Sequence, residues 1–226
     1  MIVYLTSPLT SNILLVIGLF GLSFAILAEQ AQLLAKHHGS ITKHVAQGYN
    51  LAMKIMVANR FGAVIYSLLI AFNIDNGLAP SKLAIGYAVT ITLLAVPTII
   101  MLIILQKTIK DTGSKIHVLD RSHWPHYIVI ATFFAISFNL LGFTLPWLAS
   151  AAYPDMRLTL ANTSFLFNTI FTMINVFFVE HHFAKLVDSD KNEIHGFAAG
   201  VLIARLSAYI IVGLSIFYLN GPFFKS

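Results

Sequence analysis

SNILLVIGLFGLSFAILAEQAQLL, residues 11–34, decides the fold class of this chain. From Ser11 to Ala28 no residue carries a charge, and Glu29 is the first that does. The hydrocarbon core of a bilayer is about 30 Å thick, and a helix needs about 20 mainly apolar residues to cross it. A helix can do so because it satisfies its own backbone N–H and C=O groups. The block is too long for the apolar core of a cleavable signal peptide. The polar pair Glu29-Gln30 also stands where a cleavage site needs small residues. It reads as a first span that is retained and acts as its own insertion signal.

Five further runs of this kind follow, at roughly Gln47–Phe72, Leu83–Gln106, Tyr127–Ala149, Leu158–Phe183 and Phe197–Leu219. Asn73–Gly77 is a turn signal after the second, and Gly221-Pro222 stop the sixth. Hydrophobic residues make up 58% of the 226 positions and charged residues 10%, with a mean hydropathy of +0.81. A soluble domain carries about 25% charged residues, so a chain this poor in charge cannot solvate itself. Short alternating strands of the barrel kind are absent. The expectation is an all-α membrane protein: residues 1–226 form one integral domain, a bundle of six transmembrane helices. The short connections make sequential helices antiparallel neighbours. There is no cysteine, which excludes disulfides and thiolate metal sites. The net charge of +5 does not signal nucleic acid, since no phosphate loop or RNA-binding pattern accompanies it. Basic loops account for it.

Those loops set the orientation. The connections after spans one, three and five hold Lys36, Lys43, Lys107, Lys110, Lys115, Arg121, Lys185 and Lys191. The opposite side holds only Lys82, Arg157 and Lys225. Basic loops stay in the cytoplasm, so both termini are expected outside, in the periplasm or extracellular space. The segment Lys107–His126 places Ile116, His117, Val118 and Leu119 among its charges. It is either a short helix on the anionic inner leaflet, in contact with membrane lipids, or a plain solvated loop.

Polar groups inside the spans carry the functional information, because an ionised group at the bilayer centre costs at least about 2.5–3.5 kcal/mol. They are Lys54, Arg60 and Arg205 against Glu29 and Glu180. Lys54 and Arg60 stand six residues apart, which puts them about 120° apart around a helix. In span five Ser164, Asn168, Thr172, Asn175 and His182 fall on one face, and phenylalanines crowd the other. Such a stripe either lines a wet cavity or bonds neighbouring helices. Glu29 and Glu180 either pair with Lys54 and Arg205 as a structural device or act in the cavity. A cation left over would make the cavity prefer an anion, with phosphate the common membrane-borne choice.

Catalytic signatures are missing. His37-His38 and His181-His182 are adjacent and point to different faces, and His44, His117, His123, His126 and His195 sit at predicted helix ends. A helical metal site wants ligands at i and i+3 or i+4. The acidic cluster Asp188, Asp190 and Glu193 interleaves with Lys185 and Lys191, as a solvated loop does. No carboxylate set for magnesium stands in a span, and no nucleophile motif is present. The expectation is a protein without metal or cofactor that is not an enzyme.

Three segments carry a family resemblance: Glu29–Lys36 at the exit of span one; Tyr49-Asn50 and Asn59-Arg60 in span two; and Arg157–Thr163 with Phe167-Asn168, Phe178–Glu180 and Ala204-Arg205-Leu206. In order and spacing the chain resembles the Amj family of bacterial lipid II flippases. The likeness covers most of the chain without a single diagnostic motif. Arg60 and Arg205 match the family's basic positions, and Glu29 matches its span-one acid approximately. The resemblance implies an inner-membrane protein that moves an undecaprenyl-pyrophosphate-linked peptidoglycan precursor to the outer leaflet. Arg60, Arg205 and Lys54 would then bind the diphosphate, and Asn168, Thr172 and Asn175 would hydrogen-bond sugar or peptide. Three other readings stay open: a membrane enzyme acting on polyprenyl phosphate, a proton-coupled small-solute transporter using Glu29, Glu180 or histidine, and a non-catalytic assembly partner.

Overall fold

A computed structural model describes residues 8–114, 116–187 and 191–223. Of the charges tallied above, Lys115, Asp188, Asp190 and Lys225 lie outside them. Among the described residues six helices are long and apolar enough to cross a membrane, and there is no strand. The first span is α1 (Pro8–Ile41) and the second α2 (Val45–Asp75). The third comprises α3 (Pro80–Leu93) and α4 (Ala95–Asp111), and the fourth is α5 (His126–Ala152). The fifth runs through α6 (Arg157–Asn162), α7 (Ser164–Ile174), a π turn (Asn175–Glu180) and α8 (His181–Leu186). The sixth is α9 (Lys191–Phe223).

Each helix outruns its apolar block, because helical hydrogen bonding continues past the point where hydropathy falls. The first span therefore extends beyond Leu34 to Ile41 and takes Lys36 with it. The break in the third span has a local cause. Pro97 offers no N–H, and its ring crowds the carbonyl four residues back, at Leu93. The helix loosens at Leu94, whose carbonyl is taken up by the Thr98 hydroxyl at 2.7 Å.

Packing ranks the spans. Of the most apolar window of each helix, 56% is buried in the sixth span, against 17% in the second and 6% in the fifth. The sixth span is therefore the central post, and the second and fifth are outriggers. Leu22, Tyr66, Tyr87, Ile91 and Tyr209 make the heart of the core. The polar groups at its centre, Gln30, Thr98 and the three tyrosines, are paired, as burial in an apolar interior demands. Gln30 Nε2 donates to Tyr209 Oη at 2.7 Å and to Thr98 Oγ1 at 3.0 Å. Tyr66 donates to the carbonyl of Phe143, and its oxygen meets Tyr87 Oη at 2.6 Å. The second span lies along the first, where Gly39 and Gly48 let the backbones touch. A Cβ on Gly48 would sit 2.7 Å from the Ala35 carbonyl oxygen, the close approach that small residues permit between membrane helices. The fifth span lies along the fourth.

Among the described residues of the connection between spans three and four, the one regular piece is the 3₁₀ turn Arg121–His123, not an α-helix. The Ser122 hydroxyl and backbone N–H both donate to Asp120, which holds that carboxyl below its ordinary range. Nor is the segment plain solvated loop, since Ile116 and Val118 are buried against α4 and α9. Two histidines also depart from a simple interfacial setting. His37 and His195 are buried, with Nε2 and Nδ1 3.0 Å apart, and His195 Nε2 lies 3.1 Å from Thr112 Oγ1.

Candidate transport cavity

The two outriggers face each other across a gap. The second span leans on the first and the fifth on the fourth, and α2 and α7 make no packed interface with each other. Between them lies a cavity of about 450 Å³. It runs from the middle of the spans toward the end that carries the more basic connections.

Helical geometry explains the lining. Ala25, Ile26, Glu29, Gln32, Leu33 and Lys36 of α1 follow one stripe, and Met56, Asn59, Arg60, Ala63 and Ser67 of α2 follow another. Asn139 and Phe143 enter from α5, Val201 and Arg205 from α9. The fifth span adds Asn168, Phe171, Thr172, Asn175, Val179 and Glu180. Seven of the ten polar span residues singled out in the sequence thus meet on one wall or another. Lys54 does not: it is solvent- or lipid-exposed and off the lining, on the α2 face set by its 120° offset from Arg60.

The charges are arranged as two pairs and one remainder. Deep in the cavity Arg205 Nη2 donates to Glu29 Oε1 at 2.7 Å, and Asn139 Nδ2 donates to Glu29 Oε2 at 3.1 Å. Both charged side chains are largely buried, at 6% and 16% exposure. At the loop-side end Lys36 Nζ donates to both oxygens of Glu180, at 2.7 and 2.8 Å, and stands 5.3 Å over the Tyr49 ring. The partner of Glu180 is therefore Lys36, not Lys54. Arg60 is exposed toward the cavity and has no ion pair or hydrogen bond among the described residues. Arg205 Nε and Nη1 also lack a hydrogen-bond partner there. Three cations against two carboxylates leave the lining with a formal charge of +1.

Amide and hydroxyl groups complete the wall. Asn59 and Gln32, absent from the sequence expectation, join Asn168 and Asn175. Thr172 spends its hydroxyl proton on the Asn168 carbonyl at 2.8 Å, so it offers a ligand only lone pairs. Ser164 and His182, placed on the polar stripe by α-helical spacing, are off the cavity. Ser164 bonds the Ala161 carbonyl at 2.9 Å, and His182 Nδ1 meets Tyr127 Oη at 2.6 Å. For His182 the π turn, which precedes it, is the reason. One extra residue in a turn offsets the face that follows by about 100°, which brings Glu180 in and takes His182 out. Among the described residues no group of three or more His, Cys, Asp or Glu could hold a metal ion.

The chain matches no family model, none of the curated proteins and none of the solved structures with which it was compared.

Proposed function

We propose that this protein is a flippase of the bacterial cytoplasmic membrane. It moves an undecaprenyl-pyrophosphate-linked peptidoglycan precursor, lipid II, from the inner to the outer leaflet without chemical turnover. The observation that carries the reading is Arg60: an arginine with no counter-ion among the described residues, at mid-span, on a polar wall that faces a gap between two outrigger helices. An arginine is too costly at that depth to be kept there for packing alone. A diphosphate is a natural counterpart, since the planar guanidinium bonds phosphate oxygens in pairs. Arg205 and Lys36 lie on the same cavity, and Asn59, Asn168 and Asn175 offer amides to sugar or peptide.

The gap between α2 and α7 supports a lipid-linked substrate over a free one. Phe61, Val64 and Leu68 of α2 and Phe165, Leu166 and Met173 of α7 are exposed apolar groups on the two helices that border it. A polyprenyl tail can stay in hydrocarbon while its head enters from the side. The basic-loop end, by its charge, is the cytoplasmic one, and the cavity extends toward it, as loading from the inner leaflet requires.

The test is reconstitution. Purified protein in liposomes is given labelled lipid II on one face, and its arrival on the other is measured. Arg60→Ala removes charge-assisted hydrogen bonds worth about 1.5–3 kcal/mol and is expected to slow translocation by roughly 10- to 100-fold, with Arg60→Lys in between. Wild-type translocation by Arg60→Ala refutes the cationic-cavity reading. Movement of a different polyprenyl-linked sugar, but not of lipid II, keeps the mechanism and changes the substrate.

A further inference from the structure

A second concavity, of about 590 Å³, lies on the far side of the bundle, where α4, the following loop and α9 meet. Its floor is one face of α4: Ile99, Leu102, Ile103, Gln106, Lys107 and Lys110, spaced three and four residues apart. The chemistry changes along that stripe in one direction. Three aliphatic side chains lie toward mid-membrane, then an amide, then two lysines at the helix end. From Ile99 to Lys110 the helix rises about 16 Å, the distance from the hydrocarbon interior to the headgroup layer.

The loop supplies the second wall, and it is pinned there. Gln106 Oε1 accepts the Val118 N–H at 2.8 Å, and Gln106 Nε2 donates to the Ile116 carbonyl at 3.4 Å. Trp124 Nε1 donates to the Val118 carbonyl at 3.2 Å. Leu206 closes the groove from α9. At its mouth Lys107 and Lys110 are exposed and make no ion pair or hydrogen bond among the described residues. The nearest carboxylate in sequence, Asp111, is exposed and not on the lining. His117 Nδ1 accepts the Leu119 N–H at 3.2 Å, so its neutral ring carries the proton on Nε2 and has a donor to spare.

We propose that this groove holds one anionic phospholipid of the leaflet on the basic-loop side. Its acyl chain lies against Ile99, Leu102 and Ile103, and its phosphate sits among Lys107, Lys110 and His117. Charge complementarity and the apolar-to-basic order select that occupant. A free anion has no use for the aliphatic floor, and a neutral lipid has none for the lysines. Basic pockets at the cytoplasmic ends of membrane helices take anionic headgroups on the same physical grounds. The volume falls in the usual range for small-ligand sites, about 300–1,000 Å³.

The full-length protein in mild detergent, titrated with phosphatidylglycerol or with phosphatidylcholine of the same chains, tests this by native mass spectrometry of retained lipid. One tightly held phosphatidylglycerol is expected, with weaker phosphatidylcholine binding. The double variant Lys107→Gln/Lys110→Gln should lower phosphatidylglycerol affinity by roughly 30-fold. Lys43→Gln/Lys185→Gln, which removes equal charge from the same end of the bundle, should leave it unchanged. Ile103→Trp fills the floor at an exposed position and should weaken both lipids with the lysines intact. Arg60→Ala should retain the lipid whatever it does to translocation, which separates this proposal from the transport reading. Equal loss in both double variants, no loss in either, full affinity in Ile103→Trp, or displacement by glycerol phosphate at equal concentration would each overturn it.

Discussion

Glu29→Gln should destabilise this protein far more than its position at a cavity wall suggests. The substitution keeps shape and an acceptor for Asn139, and removes only the negative charge opposite Arg205. That arginine is 6% exposed and already has two guanidinium nitrogens without hydrogen-bond partners among the described residues. Breaking a buried ion pair from one side costs about 3–5 kcal/mol, because the remaining charge stays desolvated. The cavity gives some relief, since Glu29 is 16% exposed, so about 3 kcal/mol is expected. Arg205→Met leaves Glu29 with the Asn139 N–H and some access to the cavity, for about 2 kcal/mol. The double variant removes both charges and should cost about 2 kcal/mol in all, a coupling of about 3 kcal/mol. For a chain of this size 1 kcal/mol corresponds to about 2–4 °C in midpoint, so Glu29→Gln should lose about 6–12 °C and the double variant about 4–8 °C. A double-mutant cycle measured by thermal unfolding in one detergent reads the difference directly. Effects that add to within about 0.5 kcal/mol would mean that the two groups do not interact, and the buried-pair geometry would be refuted.

Lys54→Ala should translocate lipid II at the wild-type rate in liposomes, in contrast to Arg60→Ala in the same span, because Lys54 lies off the lining. Lys36→Met should weaken binding of the anionic head about as much as Arg60→Ala yet shift the unfolding midpoint little. The pair it breaks is part-exposed, at 16% and 38%, and such pairs contribute about 1 kcal/mol or less. Gly48→Ala should cost about 1–3 kcal/mol in the same unfolding assay, through the clash with the Ala35 carbonyl.

The charges that line the cavity were legible wherever their helix was long and regular. Arg60, Glu29 and Arg205 stand in uninterrupted apolar runs, so their cost in lipid marked them. Lys36 was missed for a physical reason: hydropathy stops reporting at Leu34, while backbone hydrogen bonding carries α1 to Ile41 and keeps Lys36 on the Glu29 stripe. Lys54 was included on charge alone, although its angular offset from Arg60 already pointed away. Asn139 is a lone amide in its span and Asn59 is one of several, and nothing local distinguishes an amide that lines a cavity from one that bonds a neighbouring helix. Which spans stand at the periphery depends on how six helices divide a common core, a property of no single segment.

The π turn yields a sharper test than any point substitution. Deleting one residue from an ordinary membrane helix rotates all that follows by about 100° and shifts it by about 1.5 Å, so the buried face is lost. Asn175–Glu180 already holds one residue more than an α turn needs. Both flanks are anchored: Asn168 and Phe171 face the cavity, and Phe183 and Leu186 are buried against Ile194 and Phe197. Val176, Phe177 and Phe178 are exposed. Deleting Phe177 should therefore convert the turn to α-helix without moving either anchor, so that Glu180 still meets Lys36 and His182 still meets Tyr127. The variant is expected to purify as folded protein with a midpoint within a few degrees of wild type, whereas deletion of Val57, in the regular helix α2, should abolish folding. Equal damage from the two deletions would show that the wide turn does not set the register of Glu180. A folded Phe177 deletion that has lost translocation would make the turn itself a moving part of the cavity wall, since in that variant the charges stand where they did.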